Sequence, residues 1–370
     1  MNVADVTVGV EEEFLLVDPV SHAPVPKNTE VARSARHSGV ELQLELTSCQ
    51  VETASGVHTR AEDLLRELRG LRGAVARCAR DNDARLLAAG VPPTVPDSYP
   101  VTDTPRYQRI AERFGRLAHE QGLCGCHVHV AVPDPDMAVQ VSNFLRPWLP
   151  VWLALTANSA VYRAADSGYA SWRSILWRRW PSAGPPPYFR SGAEYDAAVA
   201  MMLACGSILD PDMVYWDIRR STTFPTLEVR ISDVPATVEE SVLLASLVRA
   251  AAITAEEAVR HGDRAPDVSA AALRAAYWKA GQAGLDGEGV DPVSARVEPA
   301  GTRLDRLVGY AAPALRELGE YEFVTDILAR VRARGNGAQR QLAALRRRHD
   351  IDDVVAELAR ATTAGCPDGA

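Results

Sequence analysis

Residues 125–132 read Gly125-Cys126-His127-Val128-His129-Val130-Ala131-Val132. The side chains of this stretch alternate with a period of two, which predicts a β-strand with two unlike faces. His127 and His129 lie on one face, and Cys126 lies with the valines on the other. We therefore expect the valine face to pack against a core while the histidines face a functional site.

Three further segments, residues 8–15, 42–52 and 227–231, repeat this alternation with acidic side chains. The acids, with one arginine beside them, are Glu11, Glu13, Glu45, Glu52, Glu228 and Arg230. Acids on one strand face usually form a solvated sheet surface. Because four separate segments share the pattern, we instead expect their strands to line one cavity that binds divalent metal ions and a nucleotide.

The composition is that of an ordinary globular protein, with 47% hydrophobic and 24% charged residues in a chain of 370. The net charge of −8 argues against a general affinity for nucleic acid or an anionic membrane. We find no apolar run long enough to span a bilayer and no signal peptide. The six cysteines do not form a disulfide framework. We expect a soluble cytoplasmic protein with reduced thiols.

The remaining pattern predicts an α+β fold, an antiparallel sheet with helices packed on one side. Thr59 with Glu62, and Thr237 with Glu240, have the spacing of a capping box, so helices are expected at about 59–82 and 237–260. Further strands are expected at 85–89, 214–220 and 226–232, and further helices at 105–121, 137–161 and 193–204. Pro147 and Pro150 should bend the helix 137–161.

We expect a single catalytic domain over residues 1–370. Its sheet-and-helix core would span about 5–260, a helical region would follow over about 261–360, and 361–370 would be a frayed tail. We interpret 90–104 as an ordered surface loop and 163–192, which contains three tryptophans, as a functional loop.

Converging acids would require bound cations. Two carboxylates about 4 Å apart repel by roughly 4 kcal/mol at an effective dielectric near 20. Carboxylate oxygens favour Mg²⁺ or Mn²⁺, and Mn²⁺ also accepts an imidazole such as that of His127. Zinc is the second choice. The acids Glu11, Glu13, Glu45, Glu52 and Glu228 are the candidate metal ligands, and His127 would either bind Mn²⁺ or lie beside the phosphates.

Three arginines, Arg173, Arg219 and Arg230, stand beside aromatic or acidic residues. Such arginines are most often salt-bridge partners, but next to clustered metals they can bind phosphate or carboxylate bidentately. The sequence contains no GxxxxGK[ST] loop, GxGxxG, GxSxG or HExxH motif. A nucleotide would therefore have to be held by metals and arginines.

Six segments together resemble the glutamate–cysteine ligase type 2, or carboxylate–amine ligase, family. The resemblance extends in the same order from about residue 6 to about residue 355. The segments are Val8–Asp18 (VGVEEEFLLVD), Glu45–Gly56 (ELTSCQVETASG), Thr104–Gly115 (TPRYQRIAERFG), Gly125–Pro133 (GCHVHVAVP), Gly168–Pro181 (GYASWRSILWRRWP) and Tyr215–Asp233 (YWDIRRSTTFPTLEVRISD).

The resemblance implies a glutamine synthetase-like fold, in which a curved antiparallel sheet forms a funnel with helices outside. It also implies ATP, two or three Mg²⁺ ions, and ligation of an amino-acid carboxylate to an amine, typically the γ-carboxylate of glutamate to cysteine. The resemblance further implies that six residues match family positions at or near the metals: Glu11, Glu13, Glu45, Glu52, His127 and Glu228. Arg173, Arg219 and Arg230 match catalytic arginines, and we assign Arg230, His129 and Gln50 to cofactor binding.

Other functions stay open: a guanidino-type phosphotransferase, a catalytically idle regulatory protein that binds Mg-ATP, and a metal-dependent amide hydrolase. The chain departs from the family pattern at Ala160, Ala164 and Gln282, where a substrate or nucleotide contact is expected. The sequence does not identify the amine. Oligomeric state also stays open, although homodimers are common among such folds.

Overall fold

The structure, a computed structural model, describes residues 3–96 and 98–367. Over these residues seven strands form one sheet, and four more form two hairpins, β6–β7 and β10–β11. The strands are β1 (Val8–Val17), β2 (Leu42–Leu44), β3 (Gln50–Ala54), β4 (Arg85–Leu87), β5 (Gly125–Ala131), β6 (Val161–Tyr162), β7 (Ala165–Asp166), β8 (Ile218–Arg220), β9 (Thr226–Asp233), β10 (Glu288–Asp291) and β11 (Arg296–Pro299).

The helices are distributed between and after the strands. They are α1 (Asn28–His37), α2 (Ala61–Arg80), α3 (Pro105–Phe114), α4 (Arg116–His119), α5 (Pro135–Leu145), α6 (Leu149–Thr156), α7 (Trp172–Trp177), α8 (Gly192–Ala204), α9 (Val238–Arg260), α10 (Ala270–Ala283), α11 (Ala300–Glu317), α12 (Tyr321–Arg334), α13 (Gly337–Arg348) and α14 (Ile351–Thr362). None of the helices in the described part of the chain combines the length and the apolar character needed to cross a bilayer.

The main sheet is open and antiparallel, with the strand order β2-β3-β1-β5-β9-β8. Strand β1 is its centre. One edge of β1 pairs with β3. Along the other edge β1 pairs first with β5, where Glu11 lies opposite His127, and then with β4, where Leu15 lies opposite Leu87. The predicted fold class, helices with an antiparallel sheet, is confirmed.

The apolar face of the sheet packs against helices. Val10, Val128 and Val229, from three adjacent strands, belong to the same buried cluster as Leu244 of α9. Alternation along β5 therefore buries the valines as predicted, and Cys126 is fully buried in this cluster. The opposite face of the same strands is left for polar side chains.

A buried ion pair lies on the apolar side. Glu12, between the two acids of β1, is fully buried and accepts hydrogen bonds from Arg72 of α2 at 2.5 and 3.0 Å. Ser241 Oγ also donates to Glu12, and Arg72 donates to the carbonyl oxygens of Pro235 and Ala236. Because every charge is met by several partners, the pair links β1, α2 and α9 without leaving an isolated buried charge.

One predicted capping box is confirmed and the other is wrong. At α9, Thr237 and Glu240 make both reciprocal hydrogen bonds. At α2, the N-cap residue is Arg60 and no side chain of the predicted box caps the helix. The Ala61 N–H instead donates to Glu320 Oε1 at 2.8 Å. A partner this distant in sequence cannot be found from local spacing.

Several predicted boundaries are also wrong. The helix 137–161 is two helices, α5 and α6, separated by a 3₁₀ turn at Arg146–Trp148 that contains Pro147. The helix 105–121 breaks at Gly115, whose φ of 54° is left-handed. The loop 163–192 contains β7 and α7, and the hairpin β10–β11 was not predicted.

The loop 90–104 and the C-terminal tail are less exposed than predicted. Residues 90–93 and Tyr99 are buried, although Asp97 lies outside the described residues. Ala361 and Thr362 belong to α14, and Thr362 Oγ1 accepts a hydrogen bond from the Ala88 N–H at 2.8 Å. The first residues of the predicted tail, Ala361 and Thr362, are therefore part of the folded core. Residues 368–370 lie outside the described part of the chain.

Candidate active site

Strand register places the polar side chains in rows across one face of the sheet. Directly paired residues lie on the same face. The first row is Gln43, Glu52 and Glu13, the second is Glu11 and His127, and the third is His129, Glu228 and Arg219. The structure therefore brings together acids that are more than two hundred residues apart in sequence.

A β-bulge in β9 brings Arg230 next to His127 on the polar face of the sheet. Val128 pairs with Val229 and Cys126 pairs with Ser232, so Arg230 and Ile231 both stand opposite His127. Such a bulge re-aims side chains and is common beside active sites. Arg230 Nη1 lies 3.4 Å from His127 Nδ1 and also contacts Glu228 Oε1.

These side chains line a cavity of about 340 Å³. Ten of the eleven side chains assigned from the sequence lie on its wall: Glu11, Glu13, Glu45, Gln50, Glu52, His127, His129, Arg219, Glu228 and Arg230. The eleventh, Arg173, does not line it. Gln50 is on the wall, but its amide donates to Leu123 O at 2.8 Å and to Cys124 Sγ at 3.0 Å, so the NH₂ group is already engaged.

The donor atoms fit hard divalent cations. Among the described residues, three groups each offer one ligand atom per residue, all within 4.8 Å of one another. The groups are Glu13–Glu45–Glu52, Glu11–Glu52–His127 and Glu11–His129–Glu228. Glu52 joins the first two groups and Glu11 joins the last two, so adjacent ions would share carboxylates. Such a set suits Mg²⁺ or Mn²⁺.

His127 lies at the centre of this arrangement. Its Nδ1 is 3.1 Å from Glu11 Oε2 and 4.0 Å from Glu228 Oε1, and its Nε2 is 3.6 Å from Glu13 Oε1. Burial and the positive charge of Arg230 lower the pKa of His127. This shift favours the neutral imidazole, which is the form that binds a metal.

The acids differ in charge state along the cavity. Burial, together with the charge of Glu13, raises the pKa of Glu45 to about 7. Burial and the charge of Glu45 also raise the pKa of Glu52 well above its usual range. Burial opposes ionisation of Glu228 as well, but Arg230 and Arg219 hold its pKa well below the usual value. The Glu45–Glu52 end thus has an excess of negative charge that bound cations would relieve.

Two arginines are fixed against Glu228. Arg219 Nε donates to Glu228 Oε2 at 2.8 Å, and its Nη1 donates to the carbonyl oxygens of Asp212 and Val214 at 2.7 and 2.9 Å. Arg230 Nε and His129 Nε2 are buried and have no hydrogen-bond partner in the described part of the chain. Arg230 Nε is available for an anionic ligand, whereas His129 Nε2 lies 3.3 Å from Glu11 Oε1 and His129 belongs to the third metal-ligand group.

Arg173 lies behind the cavity wall and reaches toward His127. A Cβ at Gly125 would lie 2.4 Å from Arg173 Nη2 and 3.1 Å from His127 Nε2, so the absent side chain makes room for the guanidinium. Asp233, fully buried, accepts hydrogen bonds from Asn158 N, Ser159 Oγ and Ser171 Oγ. Because Ser171 caps α7, Asp233 holds the helix that carries Arg173.

Sequence reasoning missed part of the cavity wall. The unassigned residues on it include five with large side chains: Arg106, Tyr107, Trp177, Trp180 and Tyr215. All five lie in the segments that carry the family resemblance, which was the signal available for finding them. The departures at Ala160, Ala164 and Gln282 do not lie on this wall.

An open antiparallel sheet carrying an acid-lined cavity suits a metal-dependent enzyme, and the family match makes that enzyme a carboxylate–amine ligase. The chain belongs to glutamate–cysteine ligase family 2, whose family model matches residues 7–357. A relative from Nocardia farcinica, provisionally named glutamate–cysteine ligase 2-1, is 62% identical over 360 residues. That alignment covers 97% of this chain and 94% of the relative.

Two solved structures show the same fold. A glutamate–cysteine ligase from Francisella tularensis, in complex with AMP, aligns with a TM-score of 0.68 and 12% identity, over 98% of this chain and 90% of that one. A bifunctional glutathione synthetase from Pasteurella multocida aligns with a TM-score of 0.69 and 14% identity, over 98% of this chain. The present chain spans about half of the latter, 53% of its length.

Proposed function

We propose that this protein is an ATP- and Mg²⁺-dependent ligase that joins the γ-carboxylate of glutamate to the amine of cysteine or of another amino acid. The observation that carries the proposal is the row of three metal-ligand groups with shared carboxylates beside Arg219 and Arg230. The names of the relatives and the AMP bound to the Francisella tularensis ligase support the choice of substrates and nucleotide.

Glu11, Glu13, Glu45, Glu52, His127, His129 and Glu228 would hold the metal ions. Bound Mg²⁺ would supply charge neutralisation for ATP phosphates and for the carboxylate that attacks them. Without such neutralisation the two anions would repel each other, so positioning is the main task of the site.

The chain's own groups would hold and orient the anions. Arg219 is fixed by two backbone carbonyl oxygens, so its guanidinium is preorganised to face an oxygen that gains charge during transfer. Arg230 Nε would donate to a phosphate oxygen, because it is buried and unpartnered within the described residues.

The test is product analysis by mass spectrometry after incubation with ATP, Mg²⁺, glutamate and pooled amino acids. We expect a γ-glutamyl amide with ADP and phosphate in equal amounts, and loss of at least about 100-fold of the rate in Glu228→Gln, which removes a ligand charge from the site. A phosphorylated product without amide would indicate a phosphotransferase. Nucleotide binding without turnover would indicate a regulatory protein, and turnover without nucleotide would indicate a hydrolase.

A further inference from the structure

The short turn 210–214 lies beside the cavity and holds Arg219. Arg219 Nη1 donates to the carbonyl oxygens of Asp212 and Val214 at 2.7 and 2.9 Å, and these two bonds use both of its N–H groups. Arg219 Nε donates to Glu228 Oε2 at 2.8 Å, and Nη2 also donates to Glu228, at 3.4 Å. Among the described residues, the last N–H of this guanidinium has no partner. The turn therefore sets the direction in which Arg219 can meet a ligand.

Asp210, at the start of this turn, joins it to helix α3. Its carboxylate forms an ion pair with Arg106, in which Nε donates to Oδ2 at 2.9 Å and Nη2 donates to Oδ1 at 3.0 Å. Asp210 also caps the 3₁₀ turn Pro211–Met213, because its Oδ1 accepts a hydrogen bond from the Met213 N–H at 3.2 Å. Two parallel N–H···O bonds fix the orientation of the two groups as well as their distance. Asp210 thus anchors the turn to α3.

This ion pair also connects the two edges of the main sheet. Strand β2 is one edge, and β8, which carries Arg219, is the other. Tyr107, next to Arg106 on α3, donates from its hydroxyl to the Leu44 carbonyl oxygen in β2 at 2.7 Å. Hydrogen bonds and short pieces of chain therefore link β2 to α3, α3 to Asp210, and the turn to Arg219. Arg106, Tyr107 and Arg219 all line the cavity, so this link runs along its wall.

We propose that Asp210 is a positioning residue for Arg219. Asp210 is not among the residues that line the cavity, so it acts through the turn and not by contact with a substrate. The inference rests on the proposed function, in which Arg219 faces an oxygen that gains charge during transfer. The free N–H of Arg219 is aimed at that oxygen only while the two carbonyl oxygens of the turn stay in place. The Arg106–Asp210 ion pair keeps them there.

A role in global stability would give a different result from a positioning role. The side chains of Arg106 and Asp210 are 35% and 26% exposed, so water screens the ion pair. Loss of a screened pair changes the stability of the folded state little. Loss of the anchor would still let the turn move, and a small movement of a catalytic group lowers the rate strongly. Rate and stability should therefore respond differently to the same substitution.

Asp210→Asn tests the inference, because asparagine caps a turn as well as aspartate does but cannot form the ion pair. Steady-state kinetics use ATP, Mg²⁺, glutamate and the amino acid that product analysis identifies as the acceptor. We expect kcat to fall about tenfold or more, while KM for each substrate changes less than about threefold, since the lost interaction belongs to the transition state. Urea unfolding should keep the wild-type midpoint.

A double-mutant cycle shows whether the effect passes through Arg219. Asp210→Asn should lower kcat in the wild-type protein but change it by no more than about twofold in an Arg219→Gln protein, because residues that act as a unit are not additive. Asp134→Asn is the matched control. Asp134 caps α5 through the Met137 N–H, as Asp210 caps its own turn, and forms no ion pair within the described residues. This control should leave kcat unchanged.

The outcomes separate this inference from the ligase proposal. Unchanged kcat in Asp210→Asn, or an equal loss of kcat with and without Arg219, overturns the inference and leaves the ligase proposal in place. If wild-type protein forms no amide, or if Arg219→Gln keeps full activity, the proposed function loses its basis and the inference fails with it. If Asp210→Asn does not fold, Arg106→Gln breaks the same ion pair from α3. It should then lower kcat only while Arg219 is present.

Discussion

At the scale of single residues, the site contains carboxylates with lowered pKa values and carboxylates with raised pKa values. Glu11 and Glu228 are each met by positive or polar partners, and their pKa values lie well below the usual range despite burial. Glu45 and Glu52 face each other and Glu13 instead, and burial and like charge raise their pKa values. The carboxylates of Glu45 and Glu52 therefore repel each other and Glu13 when they are ionised, and cations bound at this end of the cavity would offset that repulsion.

This imbalance predicts how the stability of the metal-free protein depends on pH. Glu45 and Glu52 titrate near 4.5 in the unfolded chain, but the pKa of Glu45 rises to about 7 on folding and that of Glu52 also rises well above its usual value. Between pH 4.5 and 7 the folded protein therefore holds protons that the unfolded chain has released. The contribution of these two groups to the free energy of unfolding should therefore fall as pH rises through this range, while His127, whose pKa is lowered, acts in the opposite direction. Asp217, whose pKa burial raises to about 6, acts in the same direction as Glu45 and Glu52.

Glu52→Gln should make this pH dependence shallower, because it removes one of the raised groups and the repulsion it exerts on Glu45. Urea unfolding of metal-free protein at pH 5, 6 and 7 measures the slope. The exposed Glu41→Gln, in the same segment, should leave it unchanged. An equal slope in wild type and Glu52→Gln would contradict the prediction. Added Mg²⁺ should stabilise wild type more at pH 7 than at pH 5, since the ligands must lose their protons to bind it.

At the scale of elements, strand β5 has two separate requirements. Its valines must fill the core under α9, and its first residue must leave room for Arg173 above the opposite face. Gly125 meets the second requirement, and its N–H donates to Glu13 Oε2 at 2.5 Å. Gly125 thus positions Glu13 through a hydrogen bond, and it leaves space for Arg173 because it has no side chain.

Gly125→Ala should reduce ligase activity about tenfold or more while the protein stays folded. The added Cβ would lie 2.4 Å from Arg173 Nη2, so the guanidinium must move away from His127, and a misplacement of about 1 Å can cost a hundredfold in rate. Steady-state kinetics and thermal unfolding measure the two effects. Gly9→Ala on the adjacent strand β1 is the control, because its Cβ would meet Gly56 O at an ordinary 3.6 Å. Full activity in Gly125→Ala would show that the Arg173 position is not critical.

Local patterns in the sequence predicted the elements whose causes are local. The period of two in β1, β5 and β9 follows from one buried face, and the Thr237–Glu240 box follows from contacts three residues apart. The wrong capping box at α2 has a distant cause, because the Ala61 N–H at the start of that helix donates to Glu320. The cavity residues on the sheet could be predicted from the alternation of their strands. The tryptophans of the wall could not, because their positions depend on how the loop 163–192 folds back onto the sheet.

At the scale of the whole molecule, the C-terminal helices are part of the support for the sheet. Glu320, which immediately precedes α12, accepts hydrogen bonds from the Ala61 N–H at the start of α2 and from Arg249 of α9. Arg249 is fully buried and also donates to Thr59 O at 2.8 Å. We propose on this ground that the chain acts as a single domain, because one side chain from the helical region completes the contacts of two helices that pack behind the active site.

Glu320→Gln should therefore destabilise the whole protein by about 3 kcal/mol, because it leaves the Arg249 charge buried without its ionic partner. The amide can still accept from Ala61, so the change tests the charge and not the helix cap. Urea unfolding followed by both tryptophan fluorescence and circular dichroism should show a single shifted transition. Glu322 is exposed in the first turn of α12, and Glu322→Gln should change the free energy of unfolding by less than about 0.5 kcal/mol. Two separate transitions, with the sheet unaffected, would show instead that the C-terminal helices form an independent unit.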